Sequence, residues 1–69
     1  MPKKIRELKQ MLQQASFSEL PGKGSHTNWI HSLYAGKITV AGKDGAHARR
    51  YQEKEVQAAI ERVKEQQHD

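Results

Sequence analysis

The residue types best suited to chemistry in this sequence adjoin one another in the segment Lys23-Gly24-Ser25-His26, which follows Pro21-Gly22. Glycine reaches backbone conformations that carry a steric cost for other residues, and it leaves amide groups open to a ligand. Lysine supplies positive charge, and histidine is the residue type whose unperturbed pKa permits proton transfer near neutral pH. The combination predicts a site for a phosphodiester substrate, with His26 as the proton-transfer residue.

His26 also has a plainer interpretation, in which its ring fills a turn or satisfies a backbone carbonyl. Trp29 is the one tryptophan of the sequence and is expected to anchor the core. Because side chains alternate between the two faces of a strand, His26 then lies on the face opposite to Trp29. We therefore expect the imidazole to project away from the core, where a ligand can reach it.

A metal site is not expected. The histidines are His26, His31, His47 and His68, separated by 5, 16 and 21 residues, and cysteine is absent. These spacings match no recognised zinc-ligand pattern. We predict that the site uses no metal and no other cofactor. The spacing does not identify a second acid or base either. His31 and His47 are both left as candidates for that role beside His26.

The charge balance points to an anionic partner. Twelve Lys and Arg residues stand against eight Asp and Glu residues, which gives a formal net charge of +4 and a pI near 9.6. A basic surface of this kind favours nucleic acid as the partner. Besides the candidate catalytic His26, the residues expected to contact nucleic acid are Lys23, Gly24, Ser25, Asn28, Lys43, Arg49 and Arg50.

Size and composition limit the remaining possibilities. Sixty-nine residues favour a single domain over 1–69. Such a chain buries only about 60% of its unfolded surface, so a deep pocket for a large cofactor is not expected. The lack of cysteine fits a reducing compartment. Without a signal-like segment or an apolar run near the roughly 20 residues of a membrane span, we expect a cytoplasmic protein with no membrane partner.

Hydrophobic periodicity and turn residues divide the chain into five elements. Apolar residues of the first and last segments recur at helical spacing, from Ile5 to Ala15 and from Val56 to Val63. Clusters of Gly, Pro and Lys separate three shorter segments, with a turn expected at Ala35-Gly36-Lys37. The predicted elements are a helix over 3–15, strands over 16–20, 25–33 and 38–41, and a helix over 52–66.

This order predicts an α+β fold of α-β-β-β-α type. Short turns join the three strands into an antiparallel sheet, and both helices cover one of its faces. The other face is left for solvent or a ligand. Tyr51 is expected to be at least partly in the core, and Tyr34 to pack over the turn that precedes the third strand, with base stacking as the less favoured alternative.

Several segments together resemble the HicA toxin family. They are, in chain order, Lys4-Ile5-Arg6-Glu7-Leu8, Lys23-Gly24-Ser25-His26, Trp29 three residues after the histidine, and Ile38-Thr39-Val40. The resemblance covers nearly the whole chain. The second half departs from the commonest pattern of the family, because residues 42–45 stand where many members have Pro-x-His. Residues 51–55 likewise replace a Gly-Thr-Leu opening of the last helix.

The resemblance implies a double-stranded-RNA-binding-like fold and an activity. HicA proteins are mRNA interferases, endoribonucleases that cleave mRNA and block translation as the toxins of type II toxin–antitoxin systems, and cognate HicB antitoxins neutralise them. The catalytic histidine of the family matches His26, and the glycine of its motif matches Gly24. Here the resemblance implies a metal-independent, stress-response toxin with mRNA and a HicB-like protein as partners.

Two other functions are compatible with the same residues. The first is a non-catalytic RNA-binding module that has the fold but no turnover. The second is a small partner subunit whose open sheet face serves protein contact. Retention on RNA that weakens with salt separates the first from the second, because phosphate contacts release counterions.

Overall fold

Two helices and three strands make up residues 3–67, the part of the chain that the computed structural model describes. In chain order they are α1 (Ile5–Gln14), β1 (Ser18–Pro21), β2 (Thr27–His31), β3 (Tyr34–Val40) and α2 (Arg50–Gln67). The strands form an antiparallel sheet in the order β1-β2-β3. The predicted α+β class and α-β-β-β-α order are confirmed.

The core lies between the helices and one face of the sheet. Trp29, the predicted anchor, is fully buried, and its indole N–H donates a hydrogen bond to Thr27 Oγ1 at 3.0 Å. Each helix buries one stripe of apolar residues, because a 3.6-residue period places them on one side. Around the indole pack Ile5, Leu8, Leu12, Ile38, Val40, Val56, Ala59 and Val63.

The start of α1 is held by backbone atoms of the loop between β3 and α2. The amides of Ile5 and Arg6 donate to the carbonyl oxygens of Ala46 (2.9 Å) and Asp44 (3.2 Å). These are first-turn amides, which have no partner inside a helix. Lys4 forms an isolated antiparallel bridge with His47, and its backbone is extended. Consequently α1 begins at Ile5, two residues later than predicted.

The hairpin between β2 and β3 differs from the prediction. The turn falls at residues 32–33, and Ala35-Gly36-Lys37 lies inside β3, so the predicted turn position is wrong. The β2–β3 register shifts between Trp29 and His31, and Gly36 has φ of +85°. Glycine reaches this left-handed conformation without the penalty of a Cβ, so Gly36 marks a bulge in the ladder.

The first strand begins later than predicted, at Ser18. Ser16, which was expected to open it, has φ of +70° and follows the C-cap of α1. Its left-handed backbone ends the helix and reverses the chain. Phe17 is buried as a result, and its ring lies 5.1 Å from that of His31 and 6.0 Å from that of Tyr34, measured between centroids. The turn over which Tyr34 was expected to pack is part of β3, and Tyr34 is instead half-buried against the core beside Phe17.

The last helix starts at Arg50, two residues before its predicted beginning. Gln52 is buried and ties this start to the sheet: its Oε1 accepts from the Arg49 amide at 2.8 Å, and its Nε2 donates to the Ala41 carbonyl at 2.9 Å. Tyr51, expected in the core, is 62% exposed, and that prediction is wrong. Within residues 3–67, neither helix is long and apolar enough to cross a membrane.

Candidate functional site

The candidate catalytic histidine lies at the end of a tight turn rather than inside a strand. Residues 23–26 form the turn, in which the His26 amide donates to the Lys23 carbonyl oxygen at 2.9 Å. Gly24 has φ of +58°, a conformation that favours glycine. The strand predicted to include His26 therefore starts one residue after it, at Thr27.

Gly22 is required at this turn for a different reason. A Cβ at this position would lie 2.6 Å from the His26 carbonyl oxygen, far inside van der Waals contact. No flexible side-chain tip is available to move aside, because the opposing atom belongs to the backbone. The two chain segments that frame the histidine therefore approach each other as closely as they do only because residue 22 has no side chain.

The His26 ring is exposed, as predicted, although the residue lies in the turn and not in the strand on which that prediction relied. The tautomer of the neutral ring follows from its contacts. Nδ1 lies 3.0 Å from the Lys23 carbonyl oxygen. A carbonyl has no proton to give, so Nδ1–H is the donor in this hydrogen bond. The neutral ring then carries its lone pair on Nε2. An exposed, unprotonated Nε2 is the form of histidine that accepts a proton from a substrate.

His31 has the opposite arrangement. The Leu33 amide donates to His31 Nδ1 at 3.0 Å, so Nδ1 is the acceptor and Nε2 carries the proton of the neutral ring. The ring is half-buried and packs against Phe17. These contacts explain His31 as a residue that shapes the β2–β3 turn. They do not place it beside His26 as a second acid or base.

The turn and the loop after β3 together line a shallow groove of about 300 Å³. Of the predicted RNA-contacting residues, Gly24, Ser25 and Lys43 lie in this groove, with Thr27 and Gly42 between them. The structure thus brings together two segments that are far apart in sequence. His26 is not among the residues that line the groove.

Lys9 and Asp44 also line the groove and were not assigned to the site from the sequence. The Lys9 ammonium lies 2.6 Å from Asp44 Oδ1, and this is the one ion pair found within residues 3–67. The signal in the sequence was weak, since the two residues are 35 positions apart. Lys43 and Lys23 have no carboxylate partner in that part of the chain, so their charges are available to an anion.

Asn28, another predicted contact, lies on the sheet. It pairs with Leu20 on one side and Thr39 on the other, and its Oδ1 accepts from Thr39 Oγ1 at 2.8 Å. Since neighbours along a strand point to opposite faces, Asn28 faces away from the buried Trp29. The same outward face carries Ile30, which is 37% exposed. The amide nitrogen of Asn28 is the group left to donate to a ligand.

Arg49 and Arg50 are exposed at the start of α2 and do not line the groove. If they contact RNA as predicted, they do so at a surface separate from the groove. Among the described residues, no three His, Cys, Asp or Glu side chains are grouped so as to hold a metal ion. His68 lies outside those residues.

No family model matches the sequence, and no curated protein or solved structure matches it either. The resemblance to HicA proteins therefore rests on the residues quoted above.

Proposed function

We propose that this protein is a HicA-like mRNA interferase, the toxin of a type II toxin–antitoxin system, with His26 as its catalytic residue. The observation that carries the proposal is the exposure of the His26 ring on the Lys23–His26 turn. Nδ1 bonds the Lys23 carbonyl oxygen, the contact that the plainer interpretation also expects, and in the neutral ring this makes Nε2 the nitrogen that can accept a proton. The net charge of +4 favours a phosphate-rich substrate, and so do Lys23 and Lys43, which form no ion pair with any residue of 3–67.

The proposed reaction needs one proton-transfer residue and the ribose itself. Nε2 of His26 takes the proton of a 2′-hydroxyl, and the resulting oxygen attacks the adjacent phosphorus. The bond from phosphorus to the 5′-oxygen breaks, and that oxygen takes a proton from water. The products are a 2′,3′-cyclic phosphate and a 5′-hydroxyl end, and the imidazole returns its proton to solvent. No metal takes part in these steps.

A HicB-like antitoxin is the proposed inhibitor. An acidic protein surface placed over the Lys23–His26 turn would block access to Nε2 and complement the positive charge around it. Complementary potentials also speed the encounter of two such proteins. The proposed site of action is the cytoplasm, where mRNA is translated.

The test compares two asparagine variants on RNA of mixed sequence. His26→Asn keeps an N–H that can reach the Lys23 carbonyl, but it has no atom in the place of Nε2. We expect cleavage to fall by about 10²–10⁴-fold, the usual contribution of a positioned acid or base. His31→Asn is the matched control, because its Oδ1 can still accept from the Leu33 amide, and its cleavage rate should stay near that of the wild type.

A second substrate separates the chemistry from binding. RNA with one 2′-deoxyribose at the cleaved position should be bound but not cut there. Equal cleavage by His26→Asn and wild type would overturn the assignment of His26. RNA binding without any cleavage would instead support the non-catalytic RNA-binding module, which the position of His26 outside the groove favours.

A further inference from the structure

We propose that Tyr51 and the cationic residues around the start of α2 bind single-stranded RNA, with the Tyr51 ring stacked on a base. The inference rests on the proposed function, since it takes RNA as the ligand, and it assigns a second contact surface away from the groove. Among residues 3–67, Tyr51 is the most exposed of the large apolar side chains, at 62%. Its aromatic face is therefore open to a flat ligand.

Backbone pairing brings two N-terminal lysines to the segment that precedes Tyr51. The Ala48 amide donates to the Lys3 carbonyl oxygen at 2.7 Å, and Lys4 is bridged to His47. Directly paired residues of antiparallel strands hold their Cβ atoms about 4.5–5.5 Å apart. The N-terminal segment is thus fixed against residues that lead directly into α2. Lys3 and Lys4 pair with residues three and four positions before Tyr51, and Arg49 and Arg50 directly precede it.

These four cations are not neutralised by the protein. Within residues 3–67 the one ion pair joins Lys9 to Asp44, so none of the four has a carboxylate within 4.0 Å. Three acids belong to the same region. Glu7 accepts from the Lys4 amide at 3.0 Å, Glu53 is half-buried one turn into α2, and Glu55 is exposed on the same side of α2 as Tyr51, four residues later. Lys54, three residues after Tyr51 and itself exposed, adds a fifth cation on that side, and five cations against three acids favour an anionic ligand.

An exposed ring among free cations fits single-stranded nucleic acid better than the alternatives. Bases stack on aromatic side chains while Lys and Arg follow the phosphates, and this binding tolerates any sequence. A duplex offers no free base face to a tyrosine. An acidic protein surface would form ion pairs with the cations, but its carboxylates would not stack on a flat, exposed aromatic ring.

The test measures binding to two 2′-O-methyl oligomers of equal length by fluorescence anisotropy. One is oligouridine, and the other has the same backbone with abasic sugars. Neither can be cleaved through a 2′-hydroxyl, so the result is independent of catalysis by His26. We expect the wild type to prefer the base-bearing oligomer and Tyr51→Ala to bind it about 5- to 100-fold more weakly, with little change for the abasic one.

Two further variants make the result specific to stacking. Tyr51→Phe keeps an aromatic face and should retain the preference, and Gln57→Ala, an exposed change later in α2, should match the wild type. Equal wild-type affinity for both oligomers would overturn the inference and indicate charge attraction alone, as for an acidic protein partner. Failure to bind either oligomer would overturn the proposed RNA function together with this inference.

Discussion

The carbonyl oxygen of Lys23 accepts two hydrogen bonds from His26, one from the backbone amide at 2.9 Å and one from ring Nδ1 at 3.0 Å. The same atom therefore closes the turn and orients the imidazole. Because the second bond fixes which ring nitrogen carries the proton, the geometry of the turn and the chemical state of the ring are coupled. Any change that opens the turn should also break the bond to Nδ1, and the neutral ring would then lose its preference for carrying the proton on Nδ1.

The first prediction concerns the tautomers of His26, in the turn before β2, and His31, at the end of β2. At a pH where both rings are neutral, His26 should be protonated on Nδ1 and His31 on Nε2, because one donates to a carbonyl and the other accepts from an amide. Two-bond ¹H–¹⁵N correlation spectra of the imidazoles distinguish these forms directly. The same tautomer in both rings would contradict the structure at one of the two turns.

The second prediction compares three glycine-to-alanine variants. Gly22→Ala should be the most damaging, because its Cβ would lie 2.6 Å from the His26 carbonyl oxygen. Gly24→Ala meets no atom within 4 Å but keeps φ near +58°, so it should lower the free energy of unfolding by about 1–2 kcal/mol. Gly45→Ala has neither problem and serves as the control.

Urea unfolding measures the three stabilities, and amide spectra report whether His26 has moved. We expect large shifts at His26 for Gly22→Ala and small ones for Gly45→Ala. Equal stability of the Gly22 and Gly45 variants would show that the close approach of residue 22 to His26 is absent in solution.

The third prediction concerns the buried amide of Gln52. Gln52→Ala removes the acceptor of the Arg49 amide and the donor to the Ala41 carbonyl. Loss of a partner to a buried polar group costs about 1–3 kcal/mol, so the free energy of unfolding should fall by that amount. Gln57→Ala makes the same chemical change at an exposed position of α2 and should be nearly neutral. Chemical denaturation compares the two, and equal values would contradict the role of Gln52.

The fourth prediction uses the ion pair in the groove. Asp44→Asn frees the Lys9 ammonium, so RNA binding should tighten and become more dependent on salt. For single strands, one additional phosphate contact steepens the slope of log K against log salt by about 0.7. Stability should change by less than about 1 kcal/mol, because the Asp44 side chain is 64% exposed.

Glu65→Gln is the control for that variant, since it changes the net charge equally but lies near the end of α2. A titration with labelled single-stranded RNA at several salt concentrations gives both slopes. If the two variants alter the slope alike, the effect comes from net charge, and the groove does not contact phosphate.

The element order and the two buried helix stripes could be predicted from the sequence, because hydrophobic period and turn composition are local properties. The burial of Gln52 and the exposure of Tyr51 follow from the same period. Counting back from Val56, residue 52 is one turn away and shares the buried face, whereas residue 51 falls toward solvent. Tyr51 was wrongly predicted to be in the core because it is aromatic, although its position in the helical period is on the solvent side.

Other features depend on contacts between distant segments and could not be read from the sequence. The turn at 32–33 is stabilised by the bond from the Leu33 amide to His31, while Gly36, which suggested a turn, permits a bulge instead. The groove is lined by Gly24 and Ser25 and by a loop about 20 positions later. No local sequence pattern predicts that these two segments lie next to each other. The exposure of His26 was predicted from strand parity, but β2 begins at Thr27. His26 is exposed because it lies in the turn, where residues 22–26 are all exposed.

The loop after β3 is attached to the start of α1 through main-chain oxygens, those of Asp44 and Ala46. These backbone hydrogen bonds do not depend on which side chains the loop carries. Residues 43–47 can therefore be exchanged, by selection or by design, with little loss of folding. Ligand preference at this edge is adjustable while the scaffold stays the same.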